Sequence, residues 1–265
     1  MKKQVLVAAG IMTAITGFSQ TQVNLKLNHM FNEQAFAYDQ EYTTDDGKVI
    51  EFERVQYYLS GWELTHDGGQ TLDISDQYIL GSGNITDYDL GVHNFTDLEG
   101  VQFDLGVDQT NNHDNSSNWP SAHPLSPQSP LMDWGWPAGY FFFVIDGKID
   151  SDNDGIPDAT FQLRALGDQL LRDINALSVS ETGANVDVNL YVNVADWIKG
   201  VDMNAAGFQH NASQFNIDVA DNTNDETVFT TVVPSLGFNG VMEAKENSLF
   251  VDYQLPYAPT IFYSI

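Results

Sequence analysis

Residues 186–194 read VDVNLYVNV, and the way this stretch alternates decides the fold. Val186, Val188, Leu190, Val192 and Val194 fall on one side of an extended chain, with Asp187, Asn189, Tyr191 and Asn193 on the other. A period of two with one apolar face is the mark of a strand that buries one side and wets the other.

The same alternation recurs toward the N-terminus, where Val23, Leu25 and Leu27 interleave with Asn24, Lys26 and Asn28. Parity there carries His29 onto the apolar side. Val101, Phe103, Leu105 and Val107 form a third set, and residues 49–64 (VIEFERVQYYLSGWEL), 71–80 and 139–145 (GYFFFVI) add strands rich in aromatic and β-branched residues. Asp46-Gly47, Asp67-Gly68-Gly69 and Asp146-Gly147 supply turns between them. Helical signal is confined to residues 167–176 (GDQLLRDINA), read as a short helix, and 195–200, read as a single turn. The expectation is an all-β chain: an antiparallel β-sandwich with long irregular loops and one or two short helices. No fixed-period repeat and no linker divides residues 21–265, so they read as a single domain.

One irregular stretch interrupts the pattern. Residues 108–137 hold five of the nine prolines, two of the six histidines and three of the five tryptophans, a composition that suits a functional loop or a lid over the sandwich.

The first 20 residues, MKKQVLVAAGIMTAITGFSQ, place Lys2 and Lys3 before a short apolar run and a small, polar end. Such a segment is too short to span a bilayer and reads as a secretory signal, so the expected location is periplasmic or extracellular. No later stretch is apolar for long enough to predict a membrane span. The chain has no cysteine, which excludes disulfide staples, blue-copper sites, zinc ribbons and thiol nucleophiles. Its formal charge is −27, and −29 once Lys2 and Lys3 are removed, which disfavours nucleic acid and anionic lipid as partners and favours cations.

A cation has an obvious candidate seat at residues 150–158, DSDNDGIPD. Counting from Asp150, carboxylates stand at positions 1, 3, 5 and 9 (Asp150, Asp152, Asp154, Asp158), with Gly155 at the turn and the carbonyl of Ile156 at position 7. Ca2+ takes about six to eight hard oxygen ligands, and alternate residues of a tightly curled loop can aim theirs inward. Position 12 is Phe161 instead of glutamate, and strand-like residues flank the loop, so it resembles the loops of thrombospondin type 3 repeats more than a helix-loop-helix hand. The expected role of calcium is structural.

Three further stretches carry a wider resemblance. VQYYLSGWEL (55–64), VQFDLGVD (101–108) and the signature of Met132, Trp134, Trp136, Gly139 and Tyr140 are together similar to the MbnP-like family of secreted copper-binding proteins, over residues 22–220. The resemblance implies a β-rich exported domain, with copper held by histidines beside a tryptophan open to oxidation to kynurenine. On this chain it nominates His29 and His123 as copper ligands, with Trp134 and Trp136 as the neighbouring indoles. Relatives often carry a histidine in the strand after the signature, in an FxxHxxG setting; here FQLRALG places Arg164 there, and a guanidinium cannot ligate copper. His66, His93 and His113 fall in polar, loop-like contexts and read as solvated.

No GxSxG, HExxH or phosphate-binding loop is present, so nothing in the sequence points to an enzyme. The reading is an exported metal-binding protein with metal ions as its partners. The alternative is a calcium-stabilised recognition or adhesion module whose aromatic loop binds glycan or protein.

Overall fold

The computed structural model describes residues 20–135 and 137–198, with short strand pieces at 208–209, 229–230, 241–244 and 251–254. The signal-like segment before residue 20, Trp136 and His210 lie outside the described residues.

The chain begins with β1 (Thr21–Phe31), β2 (Gln34–Ala35), β3 (Glu41–Thr43) and β4 (Val49–His66). Next come β5 (Gln70–Asp73), β6 (Ile79–Ser82), β7 (Asp87–His93) and β8 (Asp97–Leu105). A helical turn, α1 (Gln109–Asn112), opens the long loop, which ends at β9 (Phe141–Ile149). Then follow β10 (Ala159–Leu166), β11 (Arg172–Thr182), β12 (Asn185–Asn193) and α2 (Val194–Ile198). The remaining pieces are β13 (Phe208–Gln209), β14 (Phe229–Thr230), β15 (Val241–Ala244) and β16 (Val251–Gln254).

Two sheets form the sandwich. One runs β14-β12-β1-β2 with β7 also on β1; the other runs β11-β8-β4-β9-β10-β13, with β3, β5 and β6 also paired to β4. The strands β15 and β16 pair with each other. The expected β-sandwich is therefore present, and most of its ladders are antiparallel. Two are not: β1 runs parallel to β12 from Gln22↔Asn185 to Met30↔Asn193, and β10 runs parallel to β13. Periodicity marks which face of a strand is buried and is silent on the direction of its neighbour.

The core follows the parity of the sequence. Val23, Leu25 and Leu27 of β1 and Val186, Val188, Leu190 and Val192 of β12 are all buried. From the second sheet Phe52, Val55 and Tyr57 of β4 close the other side, Phe52 packing its ring 5.7 Å from Phe31. Fully burying an aliphatic or aromatic side chain is worth roughly 1.5–3 kcal/mol, so two facing rows of this length account for much of the fold's stability. Trp197 of α2 seals the same layer, edge-on to Tyr57 at 4.8 Å and stacked on Phe143 at 6.1 Å.

The helix expected at 167–176 is not there. Asp168–Leu170 form a single 3-10 turn after Gly167, whose φ is +103°, and from Arg172 the chain is strand. Arg172, Asp173 and Ile174 pair with Leu105, Asp104 and Phe103 of β8, burying Ile174 and Leu177. The gain from an added sheet strand outweighs the local helical propensity of QLLRD. The strand expected over 71–80 is broken likewise into β5 and β6, which pair with residues 63–66 and 56–59 of β4 respectively.

His29 is lodged in this core, 9% exposed, with Nε2 2.8 Å from the Tyr57 hydroxyl. Burial pushes its pKa down to about 4, against a weaker opposing effect of the Leu27 carbonyl. Between about pH 6.5 and 4 the unfolded chain therefore takes up a proton that the folded chain refuses. Stability from this source is complete above about pH 7 and falls as pH drops, by about 3 kcal/mol in all. Urea denaturation at pH 7 and pH 5 should show wild type losing about 2 kcal/mol more than His29→Gln over that interval.

The glycine of the aromatic signature is a second constraint. Gly139 has φ +85°, and a Cβ there would run into the side chain and carbonyl of Asn112. Asn112 itself holds the segment, accepting from the Tyr140 N–H at 2.8 Å and donating to the Ala138 carbonyl at 3.2 Å. Gly139→Ala is expected to cost about 2–4 kcal/mol from left-handed strain and lost space, read as a lower denaturation midpoint.

Candidate functional site

The acidic loop lies at the tip of the hairpin closed by the Ile149↔Ala159 pair. Asn153 and Gly155 adopt φ of +63° and +89°, which curls the chain tightly. Asp150 is buried, and its carboxylate accepts N–H groups from Asp154 at 3.1 Å and Gly155 at 2.8 Å. Desolvation raises the pKa of Asp150, but the N–H groups of Gly155, Asp154 and Asn153 outweigh it and hold the carboxyl below its ordinary value. Asp152 accepts the Asp154 N–H at 3.2 Å, and Asp154 accepts the Ile156 N–H at 2.9 Å. Carboxylate oxygens of Asp150, Asp152 and Asp154 all lie within 4.8 Å of one another, a spacing that can hold a metal ion. Asp158 is outside that trio, and the Ile156 side chain is exposed.

The two nominated copper histidines do not meet. Successive side chains on a strand point to opposite faces, and Tyr57 and Tyr58 of β4 divide the two imidazoles between them. The Tyr57 hydroxyl is bonded to His29 inside the sandwich. The Tyr58 hydroxyl donates to the carbonyl of Pro124, the neighbour of His123, at 3.0 Å on the side covered by the long loop. His123 also accepts the Leu125 N–H on Nδ1 at 3.1 Å, which puts its own proton on Nε2 and leaves no free lone pair for a metal. Its ring stacks on Trp119 with centroids 4.2 Å apart. A copper site on His29 and His123 together does not fit this geometry.

Trp134 is 41% exposed and stands edge-on to Phe141 at 4.9 Å. Met132, two residues before it, is fully buried. Arg54 of β4 ties this part of the loop to the sheet: Nη2 donates to the carbonyls of Pro130 (3.4 Å) and Leu131 (3.1 Å) and to the Met132 sulfur (3.1 Å), while Nε donates to Gln56 at 2.6 Å. Arg164 on β10 is 2% exposed and grips Asp146 with both Nη atoms, the longer bond being 2.9 Å. Its guanidinium carbon is 5.9 Å from the centre of the Phe141 ring. Burial lowers the Arg54 pKa; Asp146 opposes this, and the charge of Arg164 adds to it.

Several features escaped the sequence reading. His66 and His93, expected to be solvated, are strand residues that both stack on Phe95, with centroids 5.1 and 6.1 Å from it. His113 is exposed as expected and binds Asp168 at 3.0 Å. Asp104 of β8 faces Asp173 of β11, and burial together with that second carboxyl pushes the Asp104 pKa up to about 7. The Arg54–Asp146–Arg164 cluster was missed because its members come from three strands. Arg164 stood out only as a side chain that cannot ligate copper, and Asp146 only as half of an Asp-Gly turn, which the structure places within β9 instead.

Comparison with known proteins agrees with this architecture. The family model described as MbnP matches residues 20–217. Among solved structures, MbnP from Methylosinus trichosporium superposes with a TM-score of 0.51 at 14% identity, covering 79% of this chain and 90% of that one. No curated protein sequence matches the chain. A family model that spans most of the sequence, laid over a sandwich of the same fold, makes the chain a member of the MbnP family.

Proposed function

We propose that this MbnP-family chain is an exported metal-binding protein, not an enzyme, and that its resident ion is a hard cation of the calcium type in the loop at 150–158. The observation that carries the reading is the convergence of Asp150, Asp152 and Asp154 in one tight turn. Three carboxylates so close repel one another, and a divalent cation relieves the repulsion while supplying the charge that their oxygens lack. The hairpin tip is open to solvent, so water and backbone carbonyls complete the coordination. Calcium there stiffens the β9–β10 connection; the chemistry of the donors is oxygen throughout, which suits calcium and not copper.

A second reading has its own support. Leu131 and Trp134 are 49% and 41% exposed within three residues of each other on the same loop. An indole and a leucine presented on a loop pinned from beneath suit contact with a glycan ring or an apolar patch of a partner protein. In that reading calcium shapes the recognition surface.

Calorimetric titration of chelator-treated protein with CaCl2 is expected to show one site, lost in Asp152→Asn/Asp154→Asn. At a calcium concentration about 100 times Kd the folded state gains about 2.7 kcal/mol, seen as a higher Tm that EDTA reverses. No heat and no change in Tm at millimolar calcium would rule the ion out.

A further inference from the structure

We propose that the residues of this chain beneath the aromatic loop do not fit a copper ion: a built-in cation, the Arg164 guanidinium, supplies the positive charge there, and no copper seat forms at His29, His123 or position 164. This goes beyond the calcium reading and is independent of it, because it concerns a different part of the molecule.

Four observations carry it. The Arg164 head group is buried, held by Asp146 at two points and by the Leu163 carbonyl at 2.9 Å. A planar, permanently charged fork bound at both oxygens of a carboxylate does not vacate its place for an incoming ion. A soft donor of the same loop, the Met132 thioether that could suit Cu(I), is buried and already accepts a bond from Arg54. Arg54 is the cross-strand neighbour of Asp146 and Arg164 its bidentate partner, so two guanidinium charges stand by one carboxylate here even though the chain as a whole carries −27. Finally, the two nominated imidazoles cannot share an ion, since His29 is bonded to Tyr57 in the core and His123, which accepts the Leu125 N–H, lies on the other side of the sheet.

In this arrangement the guanidiniums do what a bound ion would do for the loop. Arg54 fastens the backbone at Pro130 and Leu131, while Arg164 and Asp146 hold the sheet surface under Phe141, on which Trp134 rests.

The test uses the full mature chain, freed of metal by a chelator. It is titrated with Cu(I) against bicinchoninate and with Cu(II) against glycine, in the presence and absence of calcium. The expected result is no copper retained at one equivalent and no change in Tm. One copper per chain that survives the competitor and is lost in His123→Ala or His29→Gln would overturn the proposal, whatever calcium does at 150–158. The clamp is tested separately by limited proteolysis: Asp146→Asn should speed cleavage within residues 130–137 at least tenfold, and added copper should not slow it. If Asp146→Asn does not fold, Arg54→Met, which leaves the Arg164–Asp146 pair intact, gives the same readout. Cleavage at the wild-type rate in the folded variant would overturn the clamp.

Discussion

Strand β4 has to serve two layers at once, and the rest of the molecule is arranged around that demand. Over 18 residues it offers Phe52, Val55, Tyr57 and Leu59 to the interior of the sandwich and Arg54, Gln56 and Tyr58 to the long loop. All of its neighbours take their side from it. Tyr57 fixes His29 and Trp197 within; Tyr58 meets Tyr140 at 5.6 Å and bonds Pro124 without. Because a strand alternates strictly between bulges, a residue bound to Tyr57 and one bound to Tyr58 are separated by a sheet. That single constraint decides which of the chemically interesting side chains can act together.

The loop side of the sheet is therefore a second, smaller core with its own rules. Tyr140 donates to the Leu125 carbonyl at 2.6 Å, Asn112 holds Ala138 and Tyr140, and Asn112 also donates to Asp168 at 2.7 Å. The loop has little regular structure of its own, so its backbone groups are satisfied by side chains reaching up from strands or across from α1. This explains a glycine at 139 better than a turn preference would, since the backbone must approach Asn112 more closely than a Cβ permits.

What the sequence revealed, and what it hid, follows from the range of the forces involved. The buried faces of β1, β4, β8 and β12 were legible because alternation is a local property that hydrophobic burial imposes directly. The acidic loop was legible for a similar reason, since its donors lie within nine residues. The strand β11 was not, because QLLRD is locally helical and becomes strand only when β8 offers it hydrogen bonds. The parallel pairing of β1 with β12 joins residues more than 160 apart, which no local pattern encodes. The same limit explains the functional residues. His29 was correctly placed on the apolar side, yet its partner Tyr57 and its isolation from His123 depend on the stacking of two sheets. Arg54 gave no signal at all, and Asp146 read as half of an Asp-Gly turn, whereas the fold sets both within strands beside Arg164.

The contrast between the acidic hairpin and the guanidinium cluster has a physical logic. A bound ion stabilises in proportion to the logarithm of its free concentration over its dissociation constant, so its effect comes and goes with the surroundings. A covalently attached cation contributes at a fixed level. Calcium is a reasonable partner for an exposed hairpin tip, where exchange with solvent is easy and loss of the ion frees only nine residues. Beneath the aromatic loop an intermittent ion would leave Asp146 buried and unpaired whenever it departed, and removing one partner from a buried pair costs about 3–5 kcal/mol. Arg164 avoids that state. A guanidinium offers neither redox chemistry nor ligand exchange, so its pair with Asp146 is a fixed part of the sheet surface under Phe141.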